Sequence, residues 1–125
     1  MMRKKILCVD DSNVILLMEK LILAKAEYDL ITAATGSEAV EKARRERPDL
    51  ILLDVVMPVM DGFEACRHLR THDETRDIPI IMVTTRAEAS NVEKGYLFGC
   101  NDYITKPIDS VELLTKVKNY LGELS

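Results

Sequence analysis

The stretch Leu50-Ile51-Leu52-Leu53-Asp54-Val55-Val56-Met57-Pro58 decides the fold. Four aliphatic residues stand in a row, Pro48 precedes them and Pro58 follows. A run so short and so apolar suits a strand buried on both faces, which is the environment of a parallel sheet. Four further runs share this character: Lys5–Val9, Leu30–Ala34, Ile80–Thr84 and Tyr103–Thr105. Between them the hydrophobic period lengthens to that of a helix. Val14, Leu17, Met18 and Leu21 share one helical face and are expected to be buried. Ala39, Val40 and Ala43 form a second stripe, Phe63, Cys66 and Leu69 a third, and Leu113, Leu114, Val117 and Leu121 a fifth. A fourth, about Glu88 to Leu97, is weaker, with Ala89, Val92 and Tyr96 in register and Gly95 inside it. Asp11 or Ser12 is positioned to cap the first helix, Gly36-Ser37 precede the second and Asp61-Gly62 open the third. All four prolines, Pro48, Pro58, Pro79 and Pro107, fall at junctions, where a missing N–H costs little. The pattern is (βα)5: an α/β fold with a doubly wound, five-stranded parallel sheet and right-handed crossovers. Of the common doubly wound strand orders, 2-1-3-4-5 suits five strands.

Composition narrows the function. The 125 residues are 47% hydrophobic and 30% charged, with a net charge of −4. One domain over residues 1–125 is expected, with enough apolar surface to form a core. The acidic balance argues against direct nucleic-acid binding. No apolar run is long enough to span a membrane, and no secretory signal opens the chain, so a cytoplasmic location is expected. Cys8, Cys66 and Cys100 lack the spacing of a metal site and read as buried thiols in a reducing compartment.

The polar residues that interrupt the apolar runs collect at strand ends. Asp10 and Asp11 end the first strand, Asp54 the third, Thr84 and Thr85 the fourth, and Lys106 the fifth. In an open parallel sheet ligands bind outside the carboxyl ends of the strands, at the switch point in strand order. Three carboxylates in one crevice repel one another unless a proton or cation intervenes. A hard divalent ion on oxygen ligands, Mg²⁺ above all, answers that problem and neutralises an incoming phosphoryl group. Lys106 supplies a compact cation for a phosphate oxygen, and Thr84 a hydroxyl. Asp54 is then a candidate nucleophile that would form an aspartyl phosphate.

Asp10-Asp11, Asp54 followed by Met57-Pro58 and Asp61-Gly62, Thr84, and Tyr103-Ile104-Thr105-Lys106-Pro107 together resemble a response-regulator receiver domain of the CheY-like, single-domain type. The resemblance implies a flavodoxin-like fold and a two-component phosphorelay switch. Asp54 would be the phosphoacceptor, loaded from a sensor histidine kinase or a phosphotransfer protein. Asp10 or Asp11, Asp54 and the backbone carbonyl of Val56 would hold Mg²⁺, with Asp11 the direct ligand in preference to Asp10. Thr84 and Lys106 would bind phosphoryl oxygens, Tyr103 would change rotamer with Thr84, and Lys106–Pro107 is a candidate cis peptide. Output would pass to a downstream protein through a face of helix four, strand five and helix five centred on Tyr103, from a monomer or weak homodimer.

Several positions depart from the family pattern. Thr85 stands where a smaller residue is usual and would narrow access for the phosphodonor. Val56 is apolar, and Arg86 is basic, where groups near the attacking water are expected. Phe98 stands where a small residue is usual before Gly99. His68 and His72, four apart, are read as solvated side chains at the end of helix three rather than metal ligands. Two other classes share parts of the pattern. An aspartate-nucleophile, Mg²⁺-dependent phosphatase of the haloacid-dehalogenase class carries Asp-x-Asp after its first strand, whereas here the candidate follows the third. A phosphorylation-independent pseudo-receiver differs by losing these acids, and this chain retains them. No enzymatic turnover of small phosphoesters is expected, only self-phosphorylation and slow autodephosphorylation.

Overall fold

The computed structural model describes residues 3–85 and 89–122. Five strands and five helices alternate: β1 Lys5–Val9, α1 Asn13–Ala24, β2 Asp29–Ala33, α2 Gly36–Glu46, β3 Leu50–Asp54, α3 Gly62–Thr71, β4 Ile80–Thr84, α4 Ala89–Leu97, β5 Asp102–Thr105 and α5 Ser110–Leu121. All strand pairs are parallel, and the order is β2-β1-β3-β4-β5. Successive residues of each central strand point to opposite faces. Leu7, Val9, Ile51, Leu53 and Met82 join Ala39 and Ala43 of α2 with Phe63, Cys66 and Leu69 of α3 in one apolar layer. Ile6, Cys8, Leu50, Leu52, Ile81 and Val83 join Leu16 and Leu23 of α1 with Leu113 and Val117 of α5 in the other. Apart from Lys5, Asp54 and Thr84 at their ends, strands β1, β3 and β4 are therefore apolar because both faces are covered.

Helix α1 is turned away from its expected stripe. Val14, Leu17 and Leu21 are exposed, and the buried residues are Leu16, Glu19 and Leu23. The helix is apolar nearly all round, from Val14 to Met18 and again from Leu21 to Leu23. Periodicity alone therefore cannot choose its buried side. Its entry chooses instead: Ser12 is the cap, and its hydroxyl accepts from Ile15 N at 3.4 Å. Helix α2 likewise begins earlier than expected, with Gly36 and Ser37 inside its first turn. Thr35 caps it by accepting from Glu38 N at 3.0 Å, while Glu38 reaches back to Ala34 N at 2.7 Å. Asp61 caps α3 as expected, accepting from Glu64 N at 2.9 Å. Strand β3 runs one residue further than its apolar run. Asp54 pairs with Val83, and Val55 N donates to Val83 O at 3.2 Å.

The C-terminal end of α4 packs closely despite Phe98. That ring lies 6.1 Å from Phe63, and the Phe98 carbonyl accepts from the Cys66 thiol at 3.2 Å. Gly99, at φ +103, turns the chain, and its carbonyl accepts from Arg70 Nε at 2.9 Å. The three cysteines are free thiols and buried. His72 terminates α3, with its Nδ1 2.7 Å from the His68 carbonyl. Among the described residues no helix is long and apolar enough to cross a membrane.

Candidate functional site

The reversal in strand order falls between β1 and β3, so Asp10, Asp11 and Asp54 leave the sheet side by side. Carboxylate oxygens of all three lie within 4.8 Å of one another. Asp10 is buried and both its oxygens are engaged: Oδ1 accepts from Ser12 N at 2.9 Å and Oδ2 from Lys106 Nζ at 3.0 Å. Asp11 projects into solvent beside it. Asp54 is 4% exposed, and its Oδ1 accepts from Lys106 Nζ at 3.3 Å. One ammonium thus bridges the two buried acids.

Backbone packing fixes this arrangement. Lys106 N donates to Thr84 O at 2.6 Å, which ties the turn after β5 to the end of β4. The Lys106–Pro107 peptide bond is cis. Gly62 N donates to Val55 O at 2.8 Å, and a Cβ at Gly62 would lie 2.2 Å from the Asp54 carbonyl oxygen. Only glycine lets α3 start against the strand that carries Asp54. Between them the loop runs through Val59, at φ +68 and fully exposed, and Val56, also exposed. A β-branched residue in the left-handed region costs about 1–2 kcal/mol.

The electrostatics follow from burial and like charge. Burial and the Asp10 carboxylate push Asp54 up to about 6, against the pull of Lys106 and of a hydrogen bond from the Val56 N–H. Burial works to lower Lys106, but the bond to Asp10 and the charge of Asp54 prevail and hold it above its ordinary value. Three acids against one lysine leave a crevice with negative charge to spare. Its ligand set is all oxygen, part buried and part open to water, and so fits a hard divalent cation that keeps some of its hydration.

Thr84 is buried at the end of β4. With Tyr103, Val55, Phe63, Met82, Val92, Gly95 and Cys100 it lines a cavity of about 10 Å³ beneath the crevice. Tyr103 is half-buried, and Lys116 Nζ stands 4.9 Å from its ring centre. Lys116 is itself held by Asp102 Oδ1 at 3.1 Å and the Tyr103 carbonyl at 2.6 Å. Thr85 is exposed at the rim. Arg86 and Glu88 lie outside the described residues. One buried acid had no place in the sequence reading: Glu19, between Leu16 and Leu23 on the inner face of α1. Its only signal is its spacing, three residues after one leucine and four before another.

A doubly wound sheet with three acids and a lysine at its switch point defines a class of α/β domains with an oxygen-ligand site at the carboxyl ends of the strands. The comparisons specify it further. Residues 6–118 match the response regulator receiver domain. The Pseudomonas aeruginosa protein PilH is 38% identical over 94% of this chain and 98% of its own length. DivK of Brucella anthropi, a polar-differentiation response regulator, is 35% identical over 98% of this chain and 99% of its own. The Vibrio cholerae chemotaxis protein CheY4 superposes with a TM-score of 0.90 at 36% identity, over 95% and 99% of the two chains. The receiver domain of the Pseudomonas aeruginosa sensor histidine kinase PA1611, which has a magnesium ion coordinated in its active-site cleft, gives 0.89 at 34% identity over 98% and 100%. The chain belongs to the response-regulator receiver family and is a two-component signalling domain. It spans 49% of PhoP from Bacillus subtilis and 26% of PleD from Caulobacter vibrioides, each 42% identical to it.

Proposed function

We propose that this domain takes a phosphoryl group onto Asp54 from the phosphohistidine of a sensor kinase or phosphotransfer protein, and that the modified state switches binding to a downstream protein. The observation that carries the reading is the ammonium of Lys106 bridging Asp10 and Asp54 at 3.0 and 3.3 Å, with Asp11 alongside. In the transfer an Asp54 carboxylate oxygen forms the new bond to phosphorus. The P–N bond breaks, and the imidazole leaves with a proton from solvent. Lys106 is placed to follow the charge from Asp54 to a phosphoryl oxygen, and the Thr84 hydroxyl to donate to another. Asp11, Asp54 and the Val56 carbonyl would hold Mg²⁺, with Asp10 beside them already occupied by Ser12 N and Lys106. The ion supplies charge neutralisation between nucleophile and phosphoryl group.

The exposed Tyr96, Leu97 and Val111 on α4 and α5, flanking Tyr103, support that face as the output surface. Buried free thiols and the absence of a membrane-spanning helix among the described residues accord with a cytoplasmic setting. The chain acts as a phosphoacceptor and not as a phosphatase of other molecules. Intact-mass measurement after mixing with Mg²⁺ and acetyl phosphate tests the reading. One added phosphoryl group is expected, lost when Mg²⁺ is chelated and lost in Asp54→Asn. Steady release of phosphate from p-nitrophenyl phosphate, without a stable adduct, would favour the phosphatase class instead.

A further inference from the structure

Asp10 and Asp54 share the ammonium of Lys106, but a fourth acid, Glu19 of α1, has no such partner among the described residues. It is 1% exposed, and its Oε1 has no hydrogen-bond partner. Leu16 and Leu23, one turn to either side on the same face, belong to the apolar layer that α5 completes with Leu113 and Val117. A carboxylate left there unpaired would cost several kcal/mol, so the group rests as the neutral acid. Yet it lies within the field of the site. Burial comes first, then the Asp10 carboxylate at the end of β1, and Asp54 on β3 adds to both. Lys106, after β5, opposes them, and the result is a Glu19 pushed up to about 8. Cys8 on β1, in the same apolar layer, is itself pushed up by burial and by the Glu19 charge, against Lys20 of α1. From α5 the layer receives the buried side chains of Leu113 and Val117, with Leu114, Leu121 and the phenol of Tyr120 packed at its margin.

We propose that Glu19 is a proton-binding site linked to the acidic crevice: it gives up its proton when a divalent cation enters and holds it more firmly when Asp54 carries a phosphoryl group. A cation brings positive charge that favours the Glu19 carboxylate, and the proton goes to solvent. An aspartyl phosphate brings more negative charge than the aspartate it replaces and favours the acid. Linkage is reciprocal, so raising pH tightens cation binding and lowering pH favours the phosphorylated state. The half concerning the cation needs only the crevice; the half concerning phosphate rests on the function proposed above.

Calorimetric titration with Mg²⁺ alone at about pH 7 and about pH 9 reads the link, because Asp54 is already ionised and Lys106 still charged across that interval. In the unmodified protein the affinity should rise about fivefold between the two, the low end of site-to-site couplings, and protons should be released on binding. In Glu19→Gln the rise should fall below about twofold and the proton release should shrink. Glu19→Leu, which places an apolar side chain in the apolar layer, should behave as Glu19→Gln and serves if the amide variant folds poorly. Equal pH slopes in the unmodified protein and both variants overturn the inference. Acetyl phosphate labelling of the same proteins near pH 7 separates the two readings. Labelling that persists beside equal slopes removes the proton site alone, and its absence in the unmodified protein removes the phosphoacceptor reading while the titration still judges Glu19.

Discussion

Asp54 carries two opposed demands. In its proposed roles of nucleophile and metal ligand it must be ionised, but burial and Asp10 raise it to about 6. The sign of the consequence is set by linkage. The folded carboxyl keeps its proton up to about 6, whereas the unfolded one loses it near 3.8, so the folded state binds more protons between those values. Stability from this group therefore falls as pH rises through that window and stays low above it. Asp54→Asn should stabilise the metal-free protein by about 2 kcal/mol near pH 7, and hardly at all near pH 4. Urea unfolding at the two pH values checks this, and an equal effect at both would show that the gain is not electrostatic. Val56 bears on lifetime. Its exposed aliphatic side chain offers no hydrogen bond to a water attacking phosphorus. Val56→Asn should shorten the phosphoryl lifetime about tenfold, the equivalent of one positioned hydrogen bond or about 1.4 kcal/mol of barrier. Decay of the radiolabelled adduct measures it, and an unchanged rate would free Val56 from that role. The acids and Lys106 were legible in the sequence because each breaks an apolar run at its end. Glu19 was not, since an acid inside a helix ordinarily faces water and only the tertiary turn of α1 buries it.

At the scale of elements, closeness of approach decides what the site tolerates. The first turn of α3 touches the backbone of Asp54 across Gly62, with 2.2 Å available where a methyl group would need more than 3. The neighbour is backbone and cannot swing aside. Gly62→Ala should destabilise the fold by about 2–4 kcal/mol and slow phosphoryl uptake, since Asp54 moves with its own carbonyl. Chemical denaturation and acetyl phosphate labelling, read together, would show both; a stable, fully active variant would mean that α3 shifts without disturbing β3. The elements themselves could be read from sequence where one period was unambiguous, as in the runs of β1, β3 and β4. Helix α1 could not be oriented this way. Apolar side chains surround it, and the choice of face came from Ser12 and from the layer that Leu16 and Leu23 share with α5. The start of α2 was missed for a similar reason. Thr35 caps Glu38 N while Glu38 accepts from Ala34 N, and position 36 inside the helix takes glycine because Met60 O would meet a Cβ there at 2.6 Å.

Across the whole molecule, the five-stranded order brings the charges together at one end and leaves the proposed output to the edge. β5 is the edge strand, with α4 and α5 beside it, and its Tyr103 spans the distance from the Thr84 cavity to Lys116. In the function proposed above, phosphorylation would draw Thr84 toward the crevice, change the space beside that ring, and be reported at the surface through Lys116 and Tyr96. Amide chemical shifts on phosphorylation should therefore change beyond the crevice at Tyr96, Leu97, Tyr103, Val111 and Lys116; changes confined to α1 and α2 would contradict this route. The parallel α/β sheet was legible from five buried runs alternating with helices, but the order of its strands was not visible in that pattern and was taken from the common doubly wound orders, which the structure bears out. The proposed output face rested on resemblance and on Val92 and Tyr96, four apart on α4, because nothing in a sequence marks which exposed side chains a partner covers. The central claim is that Asp54 is the group that takes the phosphoryl. Borohydride reduction of the protein treated with Mg²⁺ and acetyl phosphate, followed by peptide mass mapping, converts an aspartyl phosphate to homoserine and so locates it. Homoserine at position 54 alone is the predicted result; homoserine at Asp10, Asp11 or Asp61, or at no aspartate, would contradict the account.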